Sequence, residues 1–363
     1  MTLDTYFARR FLWVFGLIVM IFVAMLFLID LIDKMQDFPD KTFGAVFKLV
    51  VLHAPSKNYE IMPLLIVLST VTLFVRLARS SELVVVRAAG RSGLRSLAAP
   101  IAMALLIGIV SVTMLNPIVS ATAKRYGDLR SLYVGAGQRA LVIAEDGLWF
   151  RQADREGQSV IHAERASSDL SVLFDTTFLK FDPAGEPTLR INASTARLSD
   201  GEWSLRDTKT WSLRGTDNPE AQAVKAARTT LPSSLTHDQI VDSFGKPEYI
   251  SIWQLPAFIA QLEQARFSAR RYVMWFQMEL ARPLFFMTLV MLSAAFTMRH
   301  ARLSNTGLSV LSAVILGFGL HYIRNFAQIL GENGEIPVIL AAWAPPVAAL
   351  MLATGILLHM EDG

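Results

Sequence analysis

Cysteine is absent from the 363 residues, which excludes disulfides, a lipoprotein anchor and any thiolate metal site. An exported part of such a chain must be held by its own core. No Gly-x-x-x-x-Gly-Lys-Ser/Thr loop occurs, so the chain cannot cradle ATP phosphates in the usual way. Gly-x-Ser-x-Gly and His-Glu-x-x-His are missing as well. His162 and His237 stand in no metal-ligand spacing, and Asp238 and Asp242 are an i, i+4 pair of the kind that faces water. No catalytic residue, metal ligand or cofactor is therefore expected. Net charge is also scarce: +3 is too little to argue for nucleic acid.

What the chain has in abundance is apolar sequence, 53% by residue. A spanning helix needs about 20 apolar residues. Phe11–Ile29 supplies the first without one charge, Ile61–Val75 centres the second, and Ser96 to about Ala123 forms the third. Three more lie near Tyr272–Met298, Thr306–Ile329 and Pro337–Leu358. Arg9 and Arg10 before the first run resemble the start of a signal peptide. No small-residue cleavage site follows, so the run is expected to stay as a helix.

Short loops rich in Lys and Arg stay in the cytoplasm. Arg9 and Arg10, then Arg76, Arg79, Arg87, Arg91 and Arg95, then Arg299 and Arg302 all fall on one side. Asp30, Asp33, Asp37, Asp40 and Glu60, mixed with lysines, and Glu332 and Glu335 fall on the other. Both termini are thus expected inside, and the long polar stretch outside.

In that stretch the pattern changes to period two from Lys124 to about Leu235, the mark of half-buried strands. Ser159-Val-Ile-His-Ala163 and Thr177-Phe-Leu-Lys-Phe181 are examples, with turn formers at Asp182-Pro-Ala-Gly185 and Ser199-Asp-Gly201. Many short strands at close spacing predict an antiparallel sandwich or jelly roll. The expected organisation is three spans in 1–123, a β jelly-roll-like domain in 124–256, and in 257–363 an amphipathic connecting helix with three more spans. The fold class is a six-span α-helical membrane protein with an inserted antiparallel β-domain.

The basic loop between spans two and three reads Arg76-Leu-Ala-Arg-Ser-Ser-Glu-Leu-Val-Val-Val-Arg-Ala-Ala-Gly90. A serine can cap a helix here, Glu82 suits its positive end, and Gly90 can stop it. The short helix, about 80–90, is either a connector whose arginines face lipid phosphates or a peg for another protein. In the second case Leu83, Val84 and Val86 are there to bury, while Ser81, Glu82, Arg87 and Gly90 set its start, register and end.

Ser81-Glu-Leu-Val-Val-Val-Arg-Ala-Ala-Gly90 resembles the coupling-helix segment of the LptF/LptG family of lipopolysaccharide export permeases, closer to the LptG side. Asp33-Lys34 after span one and Arg271-Tyr272 before a span with Pro283-Leu284 are similar to the same family. The three-plus-three arrangement around an outer β-domain extends the likeness to essentially the whole chain. Arg87-Ala-Ala departs from the commonest pattern, so Arg87 is no family hallmark.

The resemblance implies the membrane part of an ABC transporter in the bacterial inner membrane. Two related permeases pair, an LptB-type ATPase dimer sits below, and an LptC-type protein joins the β-domains, which carry lipopolysaccharide toward the outer membrane. It also implies that the first and fifth spans border the lipid cavity. Lys34 and Lys41 at the outer end of span one, and Arg324 in span five, are candidate lipid contacts. Lys34 has a plainer role available, pairing with its i, i+4 neighbour Asp30 or reaching to the interface. Glu279 and Arg282, three apart on one face of span four, are expected to pair with each other and close a helix interface. Three rivals stand beside the permease. One is a non-transporting scaffold whose β-domain recruits envelope proteins. Another is a lipoprotein-release permease, which places its outer domain after the first span. The weakest, for want of a catalytic cluster, is a lipid-modifying enzyme.

Overall fold

The apolar runs become long helices because lipid offers the backbone no hydrogen-bond partner outside the helix itself. The computed structural model describes residues 2–88, 92–134, 141–144, 147–154, 157–167, 172–199, 201–214, 218–233, 246–264, 268–298 and 306–362. Helices α1 (Thr2–Asp37), α2 (Phe43–Arg79), α3 (Glu82–Ala88), α4 (Gly93–Val110) and α5 (Asn116–Val134) come first. Strands β1 (Leu141–Ala144), β2 (Gly147–Asp154), β3 (Gly157–Ala166), β4 (Val172–Phe181), β5 (Pro187–Ser199), β6 (Glu202–Ser212) and β7 (Val224–Pro232) follow. Helices α6 (Leu255–Gln264), α7 (Arg270–Thr297), α8 (Thr306–Asn333) and α9 (Val338–Asp362) complete the order. Among the described residues six segments are long and apolar enough to cross a membrane: α1, α2, the α4–α5 rod, α7, α8 and α9. The chain is a polytopic helical membrane protein with an inserted antiparallel β-domain. Two compact units divide it: residues 1–127, 251–253 and 273–363, and residues 128–250 and 254–272.

In the helical unit the core is formed by Phe7 and Phe11 of α1, Ile66, Leu73, Phe74 and Leu77 of α2, Leu97 and Ala104 of α4, and Phe285, Phe286 and Leu289 of α7, with α8 and α9 closing it. Spans two and four are the most enclosed, whereas only 6% of the first span's apolar window and 22% of the fifth's are buried. Gly108 of α4 meets Pro283 of α7 so closely that an added Cβ would lie 2.4 Å from the proline Cα. Here glycine is required by contact, not by backbone angle.

Between α4 and α5 the third span widens into a π segment, Ser111–Leu115, a form that leaves backbone carbonyls available to other donors. The Trp253 indole donates to the Thr113 carbonyl at 3.2 Å, and the Ile252 amide donates to Asn116 Oδ1 at 2.9 Å. Residues 251–253 are thus tied to the third span at the point where its hydrogen-bond ladder loosens.

The seven described strands of the other unit pair in sequential order, β1 to β7, all antiparallel. A crease runs across them. The ladder skips Asp175 between Thr176↔Ala193 and Phe174↔Thr195, and skips Asp207 between Arg206↔Arg228 and Thr208↔Ala226. Both aspartates have left-handed backbones, φ 52° and 51°, a conformation Asp tolerates better than most side chains. Ser194 between them donates to Asp207 Oδ2 at 3.0 Å.

At the crease the buried parity changes: Leu173 then Thr176 and Phe178 on β4, Trp203 and Leu205 then Thr208 on β6. The sheet therefore bends sharply while one face stays inside. Phe178 lies opposite Ile191, and Ile191 opposite Thr210, seven residues along β6 from Trp203. A flat sheet would hold the two rings roughly 25 Å apart; their centroids are 5.7 Å apart, edge to face. Gln152 of β2 and Ser233 beyond β7 also meet, at 3.2 Å. The sheet folds over on itself, and the strand order that the sequence left open is a meander. Residues 145–146 lie outside the described residues, as do His237, Asp238, Asp242, Arg299 and Arg302.

Candidate functional site

The segment between spans two and three does form a helix, α3. Ser80 caps the end of α2, its amide donating to the Arg76 carbonyl at 3.0 Å. Ser81 then turns with φ 57°, and Glu82 opens the next helix with its acid at the positive end. The left-handed serine redirects the chain sharply, so α3 leaves α2 at a break and does not extend it. Such a backbone is costly for a residue other than glycine.

The Glu82 carboxylate is fully engaged within the chain. Arg10 Nη1 donates to both oxygens, at 2.8 and 2.6 Å, the Tyr6 hydroxyl donates to Oε2 at 2.9 Å, and the Ser80 hydroxyl to Oε1 at 2.8 Å. Tyr6 and Arg10 also touch each other, the guanidinium 5.4 Å from the ring centroid. Burial pushes the Glu82 carboxyl upward, but the hydrogen bonds from Arg10, Ser80 and Tyr6 outweigh it and hold the group below its ordinary value. Val86, four residues on and so on the same side of the helix, is buried in the chain's own core. The expectation that Val86 is there for a partner to bury is corrected by this placement. Val85, which the sequence reading passed over, is 67% exposed. The side chains of Leu83, Val84 and Arg87, and all of Gly90, lie outside the described residues.

At the other end of span one Lys34 donates to Asp37 Oδ2 at 2.7 Å, one turn along the helix. Asp30, the neighbour expected to take that lysine, instead holds His53 Nδ1 of α2 at 2.8 Å. The His53 ring lies flat against Tyr126 of α5, centroids 4.2 Å apart. A histidine two helices away was not foreseeable from helical spacing. Lys41 is exposed in the short connection before α2.

Arg324 is 6% exposed and turned into the bundle. It donates to the Met278 carbonyl at 3.2 Å and lies 4.8 Å from the Phe285 ring centroid. Close by, Arg282 donates to both oxygens of Glu279, and the Tyr59 hydroxyl donates to the same carboxylate. The expected pairing of Glu279 with Arg282 is present; Tyr59, contributed by α2, was invisible to sequence spacing.

Geometrically these are two polar centres in one helical unit: a four-residue knot where α3 meets α1, and a buried ionic cluster joining α2, α7 and α8. Neither holds the nucleophile and base of a hydrolytic site. Among the described residues no group of three or more His, Asp or Glu side chains gathers to hold a metal ion. A search of curated proteins finds no match. The family described as lipopolysaccharide export system permease LptF/LptG matches residues 5–359, and on that span, nearly the full chain, the protein belongs to the LptF/LptG family of lipopolysaccharide export permeases.

Proposed function

We propose that this permease is the membrane subunit of an ABC transporter that extracts lipopolysaccharide from the bacterial inner membrane and passes it to a periplasmic β-domain bridge. It pairs with a second permease of the LptF type and rests on an LptB-type ATPase dimer. An LptC-type protein continues the route from its β-domain toward the outer membrane. Both termini and α3 face the cytoplasm, where positive-inside placement puts them, and the β-domain faces the periplasm.

The observation that carries this reading is α3 itself. A separate short helix sits between two spans, on the arginine-rich side, in a family of export permeases whose sequence here holds no phosphate-binding loop of its own. Energy then arrives from a partner pressing on α3, where Val85 is a large apolar side chain left 67% exposed. Ser81 to Gly90 is the coupling segment. The poorly enclosed first and fifth spans suit walls of a cavity shared with the partner permease. Lys34 and Lys41 lie at the lipid phosphate level, and Arg324 shapes the wall from within. The LptG-side assignment rests on the coupling segment alone.

Reconstitution tests it. Vesicles containing this chain, the partner permease, the ATPase and lipopolysaccharide should release lipid to a soluble β-domain acceptor only with ATP. No release with ATP would return the scaffold reading, in which the β-domain recruits envelope proteins and nothing is transported; equal release without ATP would contradict an ATP-driven permease.

A further inference from the structure

The sequence treats Arg10 as a topology signal. The structure gives it a second task. Arg10 is the only described residue of the chain that donates to both oxygens of Glu82, and Tyr6, one turn earlier, donates to one of them. Both belong to α1, whereas Glu82 opens α3. The link therefore joins α3 to the span most distant from it in sequence among the first three.

The three helices that α3 contacts or continues differ in stiffness. α2, which leads into α3, carries Pro55 and Pro63 within it. The third span carries Pro100 and then the π segment Ser111–Leu115. Each proline or π segment breaks the regular ladder and lets a helix bend. α1 runs from Thr2 to Asp37 without proline. From Arg10 to Lys34 it is a rod of roughly 36 Å at 1.5 Å per residue. Its apolar window is also the least buried of the six, with an exposed flank that includes Trp13, Met20, Leu28 and Ile32.

We infer that Arg10 and Tyr6 are positioning residues that lock α1 to the coupling helix through the Glu82 carboxylate, so that the first span moves with α3 as one body. This inference rests on the function proposed above. Movement imposed on α3 then reaches the outer end of span one, where Lys34 sits, without passing through either bendable helix. The link is directional and charge-assisted, the class of hydrogen bond roughly twice as strong as a neutral one, and it is two-pronged, so α3 can neither slide nor rotate against α1 freely. Ser80 on the same carboxylate fixes α3 to the end of α2, and Val86 seats the helix in the core.

The test uses the complete transporter in lipopolysaccharide-containing vesicles. Arg10→Gln, which leaves Arg9 to set topology, is expected to keep ATPase association and at least half the hydrolysis rate. Lipid released per ATP should fall about tenfold, the scale of losing one charged hydrogen bond. Arg10→Lys should restore it to within about threefold, because the charge is kept and a single nitrogen, as Arg10 Nη1 does, can donate to both oxygens. Tyr6→Phe, which removes one hydroxyl, should lower the same ratio by a smaller factor. In the cysteine-free chain, spin labels at Trp13→Cys and Val85→Cys should give a narrow distance distribution through the ATP cycle, broadened by Arg10→Gln. A ratio of lipid to ATP unchanged in both variants overturns the inference. So does a loss of ATPase binding in step with transport, since that marks a merely structural contact. If the unsubstituted complex releases no lipid with ATP, the function proposed above is what fails.

Discussion

Arg282 donates to both carboxylate oxygens of Glu279, at 3.1 and 2.5 Å, and its guanidinium lies 3.9 Å from the Tyr59 ring centroid, deep within the helical unit. Both ions are buried: the side chains are 6% and 0% exposed. An ion pair so placed contributes little by existing, yet losing one partner strands the other.

Arg282→Gln should therefore destabilise the membrane unit by about 3–5 kcal/mol. The double variant Glu279→Gln/Arg282→Met should recover much of that loss. Thermal unfolding in mild detergent checks both. Equal losses in the single and double variants would mean that the pair is not the relevant unit.

Gly108→Ala should force α4 away from α7, because its Cβ would sit 2.4 Å from Pro283 Cα, which cannot swing aside as a side-chain tip can. The expected cost is about 1–3 kcal/mol, the range of overpacked cores. Gly16→Ala is the control, with nothing within 4 Å of its added methyl group, and should not destabilise. Unfolding midpoints of the two variants make the comparison.

The crease in the sheet predicts an inverted pattern at two aspartates. Asp175→Gly and Asp207→Gly should be tolerated, since glycine adopts left-handed backbone freely. Asp175→Val and Asp207→Val should each cost on the order of 1–2 kcal/mol or more. The Asp175–Arg165 pair is half-exposed and adds little to either result. Protease resistance of the β-domain in the full chain reads the difference.

Glu82 gives a pH dependence with a definite sign. Its carboxyl is held below its ordinary value in the folded chain, so the bonds it accepts stabilise the protein above the unfolded value and are lost as pH falls through the folded one. The stability gap between the parent and Glu82→Gln should be full near neutrality. It should close on acidification below the normal glutamate range. Paired melting curves from pH 7 downward measure it, and a gap that widens in acid would contradict the assignment.

Local pattern carried much of this fold. The apolar runs marked six spans, and period-two alternation marked the β-domain, because both depend on residues near each other in the chain. Glu279 and Arg282 were readable as partners for the same reason. What stayed hidden was contact across helices: Tyr59 on Glu279, His53 on Asp30, and above all Tyr6 and Arg10 on Glu82. Spacing of 72 and 76 residues leaves no periodic trace. Lys34 shows the converse error, since two acids stood within a turn of it and helical spacing alone did not choose Asp37 over Asp30. The crease was legible only afterwards, as two aspartates in the midst of strands, where the residue type is disfavoured.

The central claim is that an ATPase drives this chain by pressing on α3. Val85, an exposed apolar residue there, replaced by a photo-reactive amino acid in cells that contain the whole transporter, tests it most directly. The account predicts a single light-dependent adduct to the ATPase subunit, with none from Trp253, whose side chain is equally exposed and which the account puts on the periplasmic side. An adduct from Val85 to a periplasmic protein, or modification of Val85→Cys by a reagent that cannot cross the membrane, would contradict it.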